Sequence, residues 1–255
     1  MNNHIVTEPS KTIRALGRQT LQGNWGTALI VVLLGSAITS LPGFILGRLT
    51  DSSLLSMLIE IYSLLVSGPV NLGLAIFFLK MFRQQGPQIN DLASGFDFFR
   101  NATTLYLSIM IRVFLMTLLF IIPGIIASIR YSQAFYILAD DPNKPAGQCM
   151  YESAVMMEGN KAKYMWFNLS YIGWYILANM PQSAISMRYM PDITMYDLQE
   201  FYNTAAAIAS NPLVTIAGLC TVFVTVYVSA GHAAFYDLVS GNLYVQQDPS
   251  RDVYY

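Results

Sequence analysis

Charged residues are scarce in this sequence. Only 11% of its 255 residues are charged, with 14 Lys and Arg against 15 Asp and Glu. A soluble globular domain carries about 25% charged residues, so this chain has less than half the charge expected of a soluble protein. Its hydrophobic fraction of 54% and mean hydropathy of +0.44 also exclude a disordered chain and argue against a soluble enzyme.

Reactive and metal-binding residues are few as well. The two cysteines, Cys149 and Cys220, and the two histidines, His4 and His232, are scattered, and no ligand cluster accompanies them. The sequence has no nucleophile elbow, phosphate-binding glycine loop or dinucleotide fingerprint. A formal net charge of −1 leaves no basic face for nucleic acid. We therefore expect no enzyme activity, no metal or other cofactor, and no nucleic-acid partner.

Long apolar segments fill half of the sequence instead. Six could cross a hydrocarbon core of about 30 Å as helices, namely 25–46, 54–79, 103–122, 124–139, 163–180 and 212–236. Residues 163–180 are near the lower limit of length, and 124–139 would reach only about 24 Å as a helix. The latter segment is therefore expected to be tilted, extended or re-entrant. Ile122-Pro123-Gly124, which precedes it, predicts a tight hairpin.

The remaining sequence predicts polar ends and interfacial helices. Residues 1–24 form a cytoplasmic N-terminal segment without a cleavable signal peptide, 25–240 a transmembrane domain, and 241–255 a short tail. Residues 10–22 predict an amphipathic helix on anionic lipid. Its cationic stripe contains Lys11, Arg14 and Arg18, and its apolar stripe Ile13, Leu16 and Leu21.

Two further helices are predicted at the membrane surfaces. The helix at 145–158 should shield Met150 and Met157, while Glu152 and Glu158 oppose insertion. The helix at 195–209 would lie in the one long external loop. Aromatic belts explain Trp166 and Trp174, which we place at the inner and outer interfaces respectively.

The distribution of cations predicts the orientation. With the N-terminus in the cytoplasm, ten Lys and Arg residues fall in cytoplasmic parts, and only Arg48 and Arg188 fall outside. The positive-inside rule therefore predicts cytoplasmic termini and cytoplasmic loops at 80–102 and 140–162.

Three charged residues lie within the apolar segments, where each costs about 2.5–3.5 kcal/mol at the membrane centre. They are Glu60, Arg112 and Arg130. Glu60 and Arg130 each lie six residues from the expected outer end of a segment, so we predict that they form an ion pair. Arg112 would then be left to helix carbonyls, polar side chains or a water-filled cavity. Both a structural role and a substrate or proton path are open for these charges.

The second apolar segment also contains residues that disfavour a regular helix, namely Gly68, Pro69, Asn71 and Gly73. One interpretation is a helix break that exposes backbone carbonyls to a ligand, as in transporters with discontinuous helices. The other is a simple kink whose freed backbone groups are satisfied by a neighbouring helix.

Five stretches of the sequence suggest a family. They are Asn24-Trp25-Gly26, GPVNLGLAIFFLKMFR at 68–83, IIPGIIASIRYSQAFYILADDP at 121–142, SAVMMEGNKAKYMWFNLSYIGWYIL at 153–177 and HAAFYDLV at 232–239. In this order and spacing they resemble a family of bacterial integral membrane proteins of unknown function, DUF975, from about residue 10 to 240. The resemblance implies a topology and no activity.

We therefore predict an all-α, polytopic membrane helical bundle of about six segments with amphipathic interfacial helices. Its expected place is the bacterial inner membrane, and its expected partners are the lipid bilayer and a membrane protein or a second copy of the chain. The expected role is a non-enzymatic accessory or scaffold component of an envelope process such as export, immunity or stress response. The alternative is a small-solute or ion transporter or channel that uses the buried charges.

Overall fold

A computed structural model describes residues 4–49, 53–188 and 211–243. Within these ranges the regular structure is helical and contains no strand, which confirms the predicted all-α fold. The helices are α1 (Ser10–Leu21), α2 (Trp25–Leu49), α3 (Ser53–Phe82), α4 (Asp91–Asp97), α5 (Phe99–Leu119), α6 (Ile121–Arg130), α7 (Ala134–Asp140), α8 (Ala146–Met156), α9 (Lys161–Leu169), α10 (Ile172–Met187), α11 (Pro212–Gly218) and α12 (Cys220–Val239). The predicted helix at 195–209 lies outside the described residues.

Five stretches are long and apolar enough to cross a membrane, and they match five of the six predicted segments. They are Trp25–Leu46, Leu54–Phe82, Phe99–Leu119, Ile121–Asp140 and Pro212–Val239. The predicted segment 124–139 is part of a longer one, because α6 and α7 together begin at Ile121 and continue through a bend at residues 131–133.

The remaining predicted segment, 163–180, is not one continuous helix. A turn at Ser170 and Tyr171 divides it into α9, with 9 residues, and α10, with 16. Trp174, two residues into α10, lines a cavity together with Trp25 and Arg18.

The predicted hairpin forms between α5 and α6, but it turns earlier than expected. Phe120 is extended, with φ −158° and ψ 146°, and separates the two helices. Pro123 therefore lies in the first turn of α6, where its missing N–H removes no helical hydrogen bond. Gly124 approaches Thr117 of α5 so closely that a Cβ atom would not fit. The Pro-Gly pair thus begins α6 and allows the two limbs of the hairpin to touch.

Burial divides the bundle into two halves. In the enclosed half, α1, α4, α7, α8 and α9 cover the C-terminal parts of α3 and α12. Leu72, Leu79 and Phe235 there are at most 4% exposed. In the exposed half, which contains α2, the N-terminal part of α3, the α5–α6 hairpin, α10 and α11, apolar side chains face outward. Leu58 and Phe114, for example, are each 62% exposed. Such an apolar outer surface is typical of helices in contact with lipid.

Helix α1 is amphipathic as predicted, but its apolar face packs on protein. Ile13 and Leu21 are fully buried, and Gly17 lies against the backbone of Gly231 in α12. A Cβ atom on Gly17 would lie 2.8 Å from the Gly231 nitrogen, which is closer than non-bonded atoms approach. The close crossing of two glycines therefore fixes α1 on α12.

We predict that Gly17→Ala destabilises the protein by about 1–3 kcal/mol, because the added methyl group would force α1 away from α12. Gly26→Ala is the matched control, since a Cβ atom there has nothing within 4 Å. The control should be neutral or stabilising by up to about 1 kcal/mol, because alanine favours a helix over glycine. Thermal unfolding in detergent measures both changes. Equal effects of the two substitutions would contradict the glycine crossing.

Helix α3 is continuous from Ser53 to Phe82, so the first of the two interpretations of Gly68 and Pro69, a helix break, is not what the structure shows. Pro69 has no N–H to donate to the carbonyl of Leu65, one turn earlier. The hydroxyl of Thr103 in α5 donates to this oxygen instead, at 3.0 Å. The structure therefore supports the second interpretation, in which a neighbouring helix satisfies the freed carbonyl.

The small residues of α3 serve close packing. Gly68 touches the backbone of Ala102, and Gly95 of α4 approaches both the Pro69 carbonyl and Gly73. Backbone contacts of this kind require residues without a large side chain. The unusual composition of this stretch thus places α4 and α5 against α3.

Replacing Thr103 tests whether its hydroxyl stabilises the Leu65 carbonyl that Pro69 leaves without a helical donor. Thr103→Val keeps the shape but leaves the Leu65 carbonyl without a donor, so we expect a loss of about 1–3 kcal/mol. Thr225→Val is the control, because the Thr225 hydroxyl donates only to the Thr221 carbonyl of its own helix. Chemical or thermal unfolding in detergent should show a loss for the first variant and little change for the second. A stable Thr103→Val variant would contradict the assigned hydrogen bond.

Helix α8 and the residue after it confirm one prediction, and Glu152 adds contacts that the sequence did not predict. Met150 and Met157 are buried, as expected. Glu152 is buried too, because Lys144 and Gln148 each donate a hydrogen bond of 2.8 Å to its carboxylate. Burial by itself would lower the pKa of Lys144, but the hydrogen bond and charge of Glu152 outweigh it and raise that pKa. Lys144 is therefore positively charged at neutral pH.

Candidate functional site

The predicted pairing of Glu60 with Arg130 is wrong. No ion pair given for the described residues includes Glu60, Arg112 or Arg130. Glu60 is exposed on α3, and its backbone carbonyl accepts a hydrogen bond from the Ser63 hydroxyl. The helical rise gave similar depths for Glu60 and Arg130, but it does not determine which way a side chain faces.

Arg112 and Arg130 instead come together on the two limbs of the α5–α6 hairpin. Their guanidinium carbons lie 6.0 and 5.9 Å from the centre of the Tyr131 ring. An aromatic ring attracts cations through the negative charge of its faces. Both arginine side chains are exposed, and in the described part of the chain neither forms an ion pair. Tyr131 is therefore flanked by two arginines without a carboxylate partner.

A groove lies beside Tyr131, between α3, α5 and the α6–α7 limb. Its volume is about 370 Å³. Apolar side chains line part of it, and the polar lining residues are Asn71, Tyr106, Ser128, Tyr131 and Ser132. We call this cavity the Tyr131 groove. It includes Asn71, one of the residues of the predicted helix break, whose side-chain amide donates to the Ser67 carbonyl at 2.7 Å.

The chemistry of the Tyr131 groove suits an anionic group held among apolar atoms. Its lining offers hydroxyl and amide groups, and the neighbouring Arg112 and Arg130 add positive charge. No carboxylate lines it. A search of the described ranges finds no group of three His, Cys, Asp or Glu side chains that could hold a metal ion. The arrangement can bind a carboxylate or phosphate, and it contains no set of acid, base and nucleophile.

A second polar cluster lies in the enclosed half, around Arg83. Its guanidinium donates to Asp237 at 2.7 Å and to Asp140 at 2.5 Å. The Tyr236 hydroxyl donates to the same Asp140 carboxylate at 2.7 Å. Burial by itself would lower the pKa of Arg83, but its hydrogen bonds and charge interactions with Asp237 and Asp140 raise it. Arg83 is thus a permanent cation that joins α3, α7 and α12.

Sequence comparison identifies the family. The family described as Protein of unknown function (DUF975) matches residues 103–242, more than half of the 255 residues. The chain belongs to the DUF975 family. No curated protein and no solved structure matches the chain. The DUF975 match covers the α5–α6 hairpin and every polar residue of the Tyr131 groove except Asn71, but the family brings no assigned role.

The polar clusters of this DUF975 protein were only partly visible in its sequence. Arg112 and Arg130 stand out as charges in apolar segments, and the Pro-Gly turn indicates that their segments are adjacent. The Arg83 cluster was not predicted from the sequence. The sequence does contain a pattern that could have predicted the cluster. Arg83, Asp140 and Asp237 each follow the C-terminal end of an apolar segment.

His232 of the DUF975 protein lies among aromatic rings. Its Nε2 atom is 3.0 Å from the amide oxygen of Asn168, and the rings of Tyr164 and Phe167 are centred 5.5 and 5.8 Å away. The amide nitrogen of Asn168 donates to the Tyr164 carbonyl. These contacts fix α9 to α12 and describe a packed, hydrogen-bonded histidine.

Removing Arg83 should destabilise the DUF975 bundle strongly. Arg83→Gln would leave two carboxylates without their cation. Breaking a fully buried pair costs about 3–5 kcal/mol, and we expect a loss near the lower end of this range because the Arg83 and Asp140 side chains are 23% and 33% exposed. Lys11→Gln is the control, because Lys11 is an exposed cation that forms no ion pair within the described ranges. We expect a much smaller loss for the control, about 1 kcal/mol or less. Unfolding temperatures in detergent compare the two, and equal losses would contradict the central place of Arg83.

Proposed function

We propose that this DUF975 protein is a non-enzymatic accessory or scaffold component of the bacterial inner membrane that binds a partner protein in the Tyr131 groove. The observation that carries the proposal is the pair of exposed arginines, Arg112 and Arg130, beside Tyr131. In the part of the chain that the structure describes, neither is paired with a carboxylate. The process served would be one of the envelope, such as export, immunity or stress response.

The energetics favour a partner that brings negative charge. An arginine near the membrane centre costs about 2.5–3.5 kcal/mol unless it finds an anionic or strongly polar partner. Two such residues on one hairpin therefore offer a large gain to a transmembrane helix with a carboxylate side chain. The groove supplies the rest of such a contact, because its apolar lining can pack the helix and its hydroxyl groups can bind the carboxylate.

The surface next to the groove is also suited to helix packing. The tip of the α5–α6 hairpin is entirely apolar, and Leu118, Phe120 and Ile122 are 71–73% exposed. A partner helix laid along the hairpin would cover this surface as well as the arginines. In the orientation that the cations favour, both termini and the enclosed half would face the cytoplasm.

Photo-crosslinking in cells tests the proposed partner site. A photoreactive amino acid at Met110, a lining residue of the groove, should crosslink to a membrane protein. We expect the crosslink to disappear in an Arg112→Gln/Arg130→Gln double variant, because the charge that attracts the carboxylate is gone. Arg100→Gln is the control, since Arg100 is an exposed cation of α5 outside the groove. A crosslink that survives the double substitution, or none at all, would contradict the proposal.

Transport of a small anion is the second candidate function. It is favoured by the polar lining of the 370 Å³ groove and by the nearby arginines. The continuity of α3 removes the discontinuous-helix argument for it. Vesicles containing the purified protein distinguish the candidates. Anion flux that is lost in Arg112→Gln, together with no crosslink from Met110, would favour the transporter over the accessory component.

A further inference from the structure

A second cavity of about 280 Å³ lies where α1, α2, α10 and α12 meet. It is lined by Arg18, Trp25, Trp174, Phe223, Val224 and Tyr227. Arg18 is the one charged residue of the lining, and its side chain is exposed and forms no ion pair within the described ranges. We call this cavity the Arg18 groove. It shares no residue with the Tyr131 groove.

We propose that the Arg18 groove binds one phospholipid with an anionic headgroup. Arg18 would bind the phosphate, the indole and phenol groups of Trp25, Trp174 and Tyr227 would surround the glycerol region, and the acyl chains would follow the apolar surface of α12. The proposal is independent of the partner proposed for the Tyr131 groove.

The order of the lining residues matches the order of groups in a phospholipid. Along α12, Tyr227 lies one turn from Phe223 and Val224, and these two lie nearer the start of the helix and the exposed half. The lining therefore passes from a cation through aromatic rings to apolar side chains. Tryptophan and tyrosine favour the level of the headgroups, where one end of the ring is wet and the other apolar.

Two tertiary contacts hold Arg18 at this place. Gly17, its neighbour, is fixed on Gly231 of α12, one turn from Tyr227. Arg14, one turn earlier in α1, donates to the Ser170 carbonyl at 2.8 Å and so ties α1 to the turn before α10. This turn places Trp174 opposite Arg18.

The aromatic wall of the groove is also fixed by packing. The Tyr227 ring meets the rings of Tyr171 and Trp174 edge to face, with centres 5.1 and 6.2 Å apart. Tyr171 is itself fully buried. The groove is therefore preformed, so that little ordering would be needed when a lipid binds.

The charge of the groove selects the headgroup. A guanidinium forms two parallel hydrogen bonds to a phosphate, and no carboxylate in the lining competes for it. A zwitterionic lipid would bring its own ammonium group close to Arg18. An anionic lipid such as phosphatidylglycerol avoids this repulsion, so we expect a preference for it.

Native mass spectrometry of the full chain in detergent measures the binding. Added phosphatidylglycerol should bind at least about tenfold more tightly than phosphatidylcholine, and Arg18→Gln should abolish most of this preference. Arg18→Lys should retain part of it, because the charge remains but the paired hydrogen bonds do not. Trp174→Leu should weaken the binding of both lipids.

Lys11→Gln is the control, because Lys11 is an exposed cation of the same helix that does not line the groove. This variant should bind phosphatidylglycerol like the wild type. An equal loss in Lys11→Gln and Arg18→Gln would mean that α1 attracts anionic lipid only through its total charge, and would overturn the site. Equal binding of the two lipids by the wild type would overturn it as well.

Discussion

The enclosed half of the bundle depends on the ion pairs that Arg83 forms with Asp140 and Asp237. Arg83 is bound by carboxylates from α7 and α12, which lie far from it in the sequence. A half-buried cation is stabilised by such partners, because a charge that is drawn out of water without a partner is unfavourable. By fixing the end of α7 to α3, the ion pairs also fix the limb that carries Arg130 and Tyr131. The geometry of the Tyr131 groove thus follows from a cluster outside it.

The same requirement extends to other polar groups of the bundle. Pro69 leaves one carbonyl of α3 without its helical donor, and Thr103 supplies another from α5. Glu152 of α8 is buried with two donors of its own. Each of these hydrogen bonds holds one helix or loop of the interior against its neighbour. Arg112 and Arg130 differ, because the aromatic ring between them cannot neutralise two positive charges. This contrast is the basis for proposing an anionic partner.

The sequence predicts the membrane character and most of the helices, because the length of an apolar segment depends on local composition. It also predicts the hairpin and the shielding of Met150 and Met157. It does not predict which surfaces meet. Gly68-Pro69 is the same sequence whether the carbonyl that it frees faces a ligand or Thr103. Helical rise gives the depth of Glu60 and Arg130 but not their directions. The sequence predicts the cationic and apolar stripes of α1 correctly. No feature of the sequence around Gly17 indicates that this residue would contact Gly231.

The placement of the two halves relative to the membrane can be measured with nitroxide labels at exposed positions. Leu58 in the exposed half is 62% exposed and Tyr151 of α8, in the enclosed half, is 70% exposed, so a label disturbs neither core. We expect a label at Leu58 to be reached by oxygen dissolved in lipid. A label at Tyr151 should be reached by a water-soluble nickel reagent, and only from the cytoplasmic side. A Tyr151 label that is reached by oxygen like the one at Leu58, or by nickel from outside, would contradict this arrangement.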